Sequence, residues 1–330
     1  MKETLLCCRI TAQEKGLYRL CHDGVEQAAQ VSEKFQYEAL GPSDYPTVGD
    51  EVLADLNGGG QAVIHKVLPR KSLFLRKAAG TAREEQPVAA NVDILFLCMA
   101  LNNDFNLRRL ERYLAAAWNS GATPVVVLTK ADLCGNPSEK VAAVEEAAPG
   151  TDVLLTSAAQ EDGIRPLLPY LTPGRTVAFV GSSGVGKSTL MNGLLGKEIL
   201  ATGGLRNDDR GRHTTTRRQM FFLPGGAALI DTPGMRELGL WDSESGLETA
   251  FADIEALARQ CRFQDCRHEK EPGCAVRAAL ASGELSEERF RSWQRLSAEN
   301  RYADDRAAHM SAKEKKFRMI AQFNKSNAKR

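Results

Sequence analysis

A chain of 330 residues, 43% hydrophobic and 26% charged, is too long for one ordinary core and has the make-up of a globular protein, which excludes the disordered, collagenous and membrane-spanning classes. Its longest apolar stretch, residues 92–101, contains Asp93 and falls far short of the roughly 20 residues a membrane span needs. The formal net charge of +1 by itself calls for no polyanionic partner, but the charge is unevenly placed.

The opening MKETLLCCRITAQEKG lacks the basic start, long apolar run and small-residue cleavage site of a secretory leader. The expected compartment is the cytoplasm, with no membrane partner, and a reducing compartment argues against a disulfide framework for the eight cysteines. Up to about residue 80, short strands are expected at 5–11, 16–21, 51–56, 61–68 and 72–76. Five such strands fit a small closed barrel of the oligonucleotide-binding (OB) type. Arg70, Lys71, Arg76 and Lys77 cluster at its end and are candidate contacts to RNA phosphates.

From residue 91, strands alternate with helices, the pattern of a parallel sheet covered on both faces. Strands are expected at 92–101, 124–129, 152–157, 176–181, 217–223 and 227–231, and helices at 107–119, 138–148, 163–171 and 187–195. Beyond residue 239 the pattern turns helical. The fold class so read is multidomain α/β, divided into a barrel at 1–80, a nucleotide domain at 81–238, a helical metal-binding domain at 239–300 and a basic tail at 301–330. The last 20 residues hold seven Lys or Arg against one Glu.

The string Gly181, Ser182, Ser183, Gly184, Val185, Gly186, Lys187, Ser188, Thr189 follows an apolar strand and opens a helix, the context that validates a phosphate-binding loop. Its glycines let successive N–H groups face phosphates, Lys187 reaches the β and γ phosphates, and the Ser188 hydroxyl serves magnesium. Asp231, at the tip of a buried strand, is read as part of the magnesium shell, and Gly234 as an N–H donor to the γ phosphate. Between them GRHTTT, residues 211–216, lies in a charged stretch that reads as a mobile loop, with Thr215 the favoured magnesium ligand among its threonines. Upstream, Thr129, Lys130 and Asp132 end a strand. The Asp132 carboxylate can accept both N–H groups of the guanine edge, which selects GTP over ATP, and Lys130 covers the ring. Ser157 and Ala158 end a second strand, with backbone N–H groups for the guanine O6.

Base-reading elements that precede the phosphate loop reverse the usual order, so the nucleotide domain is circularly permuted. Its last switch leads into the cysteine-rich region. There Cys261, Cys266, His268 and Cys274, spaced C-x4-C-x-H-x5-C, suit one tetrahedral structural zinc with no open position. Two rivals stand at this point: a P-loop kinase or ATPase, against which Asp132 speaks, and an RNA-binding scaffold that uses nucleotide only for shape.

Taken together, residues 91–114 (NVDILFLCMALNNDFNLRRLERYL), the permuted motif order, GRHTTT and the cysteine cluster with its EPGC ending resemble the circularly permuted ribosome-assembly GTPases, the RsgA (or YjeQ) family. The likeness runs over nearly the whole chain. It implies an OB barrel, a permuted GTPase domain and a zinc domain, with GTP, GDP and magnesium as ligands. It also implies the small ribosomal subunit and its rRNA as partners, late maturation of that subunit as the role, and stimulation of GTP hydrolysis by it. A monomer is expected, released on hydrolysis. Two departures stand out. Thr129 takes a position where the family usually has Asn, and Met235 follows the 231–234 turn where many GTPases carry a water-orienting Gln. His213, or a ribosomal group, is therefore expected to orient the attacking water.

Overall fold

The computed structural model describes residues 5–14, 16–56, 60–77, 85–200, 218–232, 244–298 and 300–301. The chain divides into two compact units, Met1–Gly239 and Leu240–Arg330.

The first unit opens with β1 (Leu6–Glu14), β2 (Leu17–His22) and β3 (Val25–Val31), followed by a single-turn helix α1 (Glu33–Glu38) capped by Ser32. Then come β4 (Glu51–Asp55) and β5 (Ala62–Val67). The order β1-β2-β3-β5-β4, with β4 returning to β1, closes a five-stranded barrel. Alternate residues point inward, so Ile10, Leu20, Val52 and Ile64 are fully buried in one apolar core.

The count of five matches the sequence reading, but the membership differs. The barrel includes β3, which that reading lacks. The expected strand at 72–76 is instead β6 (Leu73–Lys77), which pairs outside the barrel with β7 (Glu85–Ala90). The physical signal for β3 is the pair Asp23-Gly24 between β2 and β3, with φ of 48° and 82°. Those angles make the tight two-residue hairpin turn whose backbone twist suits antiparallel neighbours.

One edge of β1 is used twice. Its first half, Leu6 to Arg9, pairs with β4 and closes the barrel, while Ala12 and Gln13 pair with Gln219 and Arg218. A bulge between Ile10 and Ala12 separates the two stretches and turns the strand from one partner to the other. Barrel and nucleotide sheet are thereby one hydrogen-bonded array of eleven strands.

That sheet contains β8 (Ile94–Ala100), β9 (Thr123–Thr129), β10 (Val153–Leu155), β11 (Thr176–Gly181), β12 (Arg218–Phe222) and β13 (Ala228–Asp231). The parallel order is β10-β9-β8-β11-β13, with β12 added antiparallel to β13. Every residue of β8 and β11 is buried, as continuous apolar runs in a covered parallel sheet require. Helices α2 (Leu107–Ser120), α3 (Pro137–Ala147) and α4 (Lys187–Leu195) complete this part. Asn106 caps α2 by accepting the Arg109 N–H at 3.0 Å, and Gly121 ends it in the left-handed region.

The second unit holds α5 (Glu244–Ala250), α6 (Ala252–Ala258), α7 (Ala275–Ser282) and a further helical run over 287–298. Phe251, Ile254 and Val276 are its fully buried anchors. Arg289 donates to both carboxylate oxygens of Asp253 at 2.6 and 2.7 Å and lies over the Phe251 ring.

Candidate functional site: the phosphate loop, the base-reading strands and the cysteine cluster

The loop begins where β11 leaves the sheet. A Cβ on Gly181 would lie 2.5 Å from the Cys98 carbonyl oxygen, so only glycine lets β11 run this close to β8. Gly184 and Gly186 adopt positive φ, which curls the chain into α4. Lys187 turns back into the loop, only 7% exposed, and donates to the carbonyls of Gly181 at 2.8 Å and Ser182 at 2.9 Å. An ammonium has three N–H groups, so one is left over for a ligand. Burial lowers the Lys187 pKa against the opposing pull of neighbouring groups that include Asp231 and Asp104. Asp231 ends β13 beside Phe179 of β11. Burial pushes its carboxyl up to about 6, with Lys187 working in the other direction.

The strand ends of β9 and β10 reach the same loop. The Thr129 hydroxyl donates to the Val185 carbonyl at 2.5 Å, and the Lys130 ammonium to the Gly184 carbonyl at 2.7 Å. Lys130 holds the left-handed conformation at φ 56°, and the Ala131 N–H bonds the Thr156 carbonyl, bringing the two strand ends together. Ser157 donates its hydroxyl to Asp132 Oδ1 at 2.5 Å, which orients one carboxylate oxygen. Residues 129–132, 157 and 181–187, split by 25 and 54 positions in sequence, thus form one hydrogen-bonded cluster. Thr129, although not an Asn, still bonds to the loop.

One residue that motif reading did not single out also reaches the loop, with a second behind it. Ser182 donates its hydroxyl to Asp104 Oδ2 at 2.6 Å, and Arg109 pairs with that oxygen at 2.9 Å. The available signal was an acidic residue two positions before a helix cap, after the strand that neighbours β11.

In the second unit, the donor atoms of Cys261, Cys266, His268 and Cys274 all lie within 4.8 Å of one another. The Cys261–Cys274 sulfur separation is 3.8 Å, and the His268 Nδ1 to sulfur distances are 3.6 and 3.4 Å. A tetrahedral zinc with bonds of about 2.3 Å to sulfur and about 2.0 Å to nitrogen requires edges of about 3.8 and 3.5 Å. The three edges fit such an ion. Burial lowers the His268 pKa, favouring the neutral imidazole that binds metal. Its ring packs against Trp293, 5.6 Å between centroids, and Cys274 also caps α7, accepting the Arg277 N–H.

Among the RNA-contact candidates, Arg70 requires a correction. It donates to both Asp50 carboxylate oxygens at 2.7 Å and to the carbonyls of Ser43 and Tyr45, with its side chain only 15% exposed. The guanidinium fastens the loop before β4 instead of facing solvent. Lys71 pairs with Asp93 at 2.5 Å yet stays half exposed, and Arg76 Nε donates to Gln86. The Lys77 side chain, His213, Thr215, Gly234, Met235 and residues 302–330 of the basic tail lie outside the described residues. No described helix is long and apolar enough to cross a membrane.

The family model described as RsgA GTPase matches residues 67–241. A model described as ABC transporter matches residues 167–329, a span that includes the phosphate loop but none of Thr129, Lys130, Asp132 or Ser157. "Small ribosomal subunit biogenesis GTPase RsgA 2" of Lactiplantibacillus plantarum is 50% identical over 295 residues, 89% of this chain and 83% of the relative. The RsgA GTPase of Opitutus terrae is 45% identical over 327 residues, 96% and 89% of the two chains. Among solved structures, YjeQ from Thermotoga maritima superposes with a TM-score of 0.66 at 28% identity, covering 89% of this chain and 97% of that one.

Proposed function

Because the chain belongs to the RsgA GTPase family, we infer that it is a GTP hydrolase of small-ribosomal-subunit biogenesis. The observation that supports this reading is the single hydrogen-bonded cluster joining Asp132, Lys130 and Thr129 to the phosphate loop, since the carboxylate proposed to select guanine then lies beside the loop proposed to cradle phosphate.

In this reading Asp132, its oxygen oriented by Ser157, accepts the guanine N–H pair, while the backbone at Ala158 meets O6. The N–H groups of residues 182 to 189 cradle the phosphates, and Lys187 gives its free N–H to the β and γ oxygens. Ser188, Asp231 and Thr215 would hold a magnesium ion, which would supply positive charge against the phosphates. Gly234 donates to the γ phosphate and His213 orients the attacking water. Cys261, Cys266, His268 and Cys274 would hold one zinc in a structural role, since four protein ligands would leave no position open for catalysis.

Lys71, Arg76, Lys77 and the basic tail contact rRNA phosphates, with the barrel presenting the RNA-facing surface. The protein works in the cytoplasm as a monomer on the small subunit and leaves after hydrolysis.

Phosphate release measured with and without purified small subunits, together with competition of ATP against GTP, tests the reading. Turnover that rises with subunits and resists excess ATP is expected. No turnover in either condition would leave only the scaffold alternative. Within that assay His213→Ala should lose most of the subunit-stimulated rate; full stimulation by the folded variant would remove His213 from the mechanism.

A further inference from the structure

A carboxylate beside a phosphate-binding loop is unfavourable on its face, since it repels the ligand the loop is built to receive. Asp104 stands in that position. Its Oδ2 is bound on one side by the Arg109 guanidinium at 2.9 Å and on the other by the Ser182 hydroxyl at 2.6 Å. Arg109 is itself fixed, donating to the Asp104 carbonyl through its side chain and to the Asn106 cap through its backbone. Ser182 is 4% exposed, and its carbonyl is one of the two that hold the Lys187 ammonium. The four groups form a chain, Arg109 to Asp104 to Ser182 to Lys187, that joins the start of α2 to the loop across 78 residues of sequence.

We propose that Asp104 is a positioning residue for the phosphate loop, acting through Ser182 on the backbone that aims Lys187. Arg109 spends the Asp104 charge, so the carboxylate grips the serine without opposing the phosphates. The grip holds the first residue after β11 in one rotamer, so the carbonyl that directs the lysine keeps its direction before nucleotide arrives. Holding the loop in its binding geometry in advance removes an ordering cost from association. The inference rests on Lys187 being a phosphate ligand, as read above.

The test is a double-mutant cycle on GDP and GTP binding by the full chain, followed with a fluorescent nucleotide analogue. Asp104→Ala and Ser182→Ala should each raise Kd for both nucleotides about tenfold, the size expected for losing one charge-assisted hydrogen bond. The double variant should be no worse than either single one, a coupling that general destabilisation would not produce. Asp104→Asn keeps an oxygen for Ser182 and should fall between, at about threefold; if Asp104→Ala folds poorly, Asp104→Asn replaces it in the cycle. Kd changes below twofold for Asp104→Ala, or for Asp104→Asn where that variant stands in, overturn the proposal. Single effects that multiply in the double variant overturn it equally. Lys187→Ala is the control. If it binds nucleotide like the parent, the reading of the loop fails; if it abolishes binding while the Asp104 variants do nothing, only this inference fails.

Discussion

The nucleotide site and the cysteine cluster are assembled in opposite ways. Thr129, Lys130, Asp132, Ser157, Asp104 and residues 181–187 come from separate strand ends and meet because the parallel sheet aligns those ends. Hydrogen bonds tie these strand ends to one another, and the buried ammonium of Lys187 has two carbonyl partners. Cys261, Cys266, His268 and Cys274 come from 14 consecutive residues, and what they share is a set of donors facing one point. A site built by a sheet is held by the sheet's core; a site built by a short loop would depend on the ion proposed for it.

Metal removal should expose that contrast most sharply. Chelation would withdraw roughly 10 kcal/mol of apparent zinc-binding energy, more than a small unit holds in reserve. Loss of helical signal and a change in Trp293 fluorescence, the indole that packs on His268, would follow. Retained structure at full chelation would show that the cluster needs no ion.

Next in size is Arg70→Ala, which leaves the fully buried Asp50 carboxylate without its cation. Breaking a buried pair from one side costs roughly 3–5 kcal/mol, readable as a lower denaturant midpoint for the first unit. A neutral result would return Arg70 to the surface candidates.

Asp132→Asn should be smaller, since the amide keeps an oxygen for the Ser157 hydroxyl and chiefly changes what guanine would meet. An amide in place of the carboxylate loses an acceptor for the guanine N–H pair, weakening GTP by roughly 2–3 kcal/mol. Xanthosine triphosphate, which carries a carbonyl where guanine has its amino group, should gain relative affinity in competition. Equal losses for both nucleotides would separate Asp132 from base reading.

The smallest expected effect concerns Glu271, between His268 and Cys274 of the proposed zinc site. Its carboxylate accepts the backbone N–H groups of Arg267 at 3.1 Å and of Glu269 and Lys270 at 2.9 Å. Its own backbone N–H and these three hold its pKa down at about 2, below the ordinary 4.5. A depressed carboxyl stabilises fully above its unfolded value and loses that contribution only as pH falls toward 2. Glu271→Ala should therefore lower zinc affinity by about tenfold or less, equally at pH 6 and pH 8, in competition with a chelator. A penalty that changed over that range would point to a ligand thiol or imidazole instead.

Several features were legible along the chain because they are local. The limits expected for β11 and α4 agree with the structure, since an apolar run, a glycine-rich turn and helical spacing are all encoded within 20 residues. Asp23-Gly24 was equally local and marks β3 by its turn chemistry. The stretch at 72–76 was correctly a strand, but strand propensity names no partner, and its partner is β7. Charge is likewise silent on direction: Arg70 and Lys71 are neighbours, and one turns inward to Asp50 while the other stays half exposed.

By itself the sequence determined the chemistry available: a phosphate loop with its lysine, a guanine-type carboxylate at a strand end, and three thiols and an imidazole at metal spacing. Only the tertiary structure decided that Asp104 bonds the loop with Arg109 behind it, that β1 serves barrel and nucleotide sheet at once, and that Arg70 is internal. The reason is physical. Turns, strands and helices follow from forces between near neighbours in the chain, whereas the pairing of a carboxylate with a serine 78 residues away depends on how the strands are ordered in the sheet.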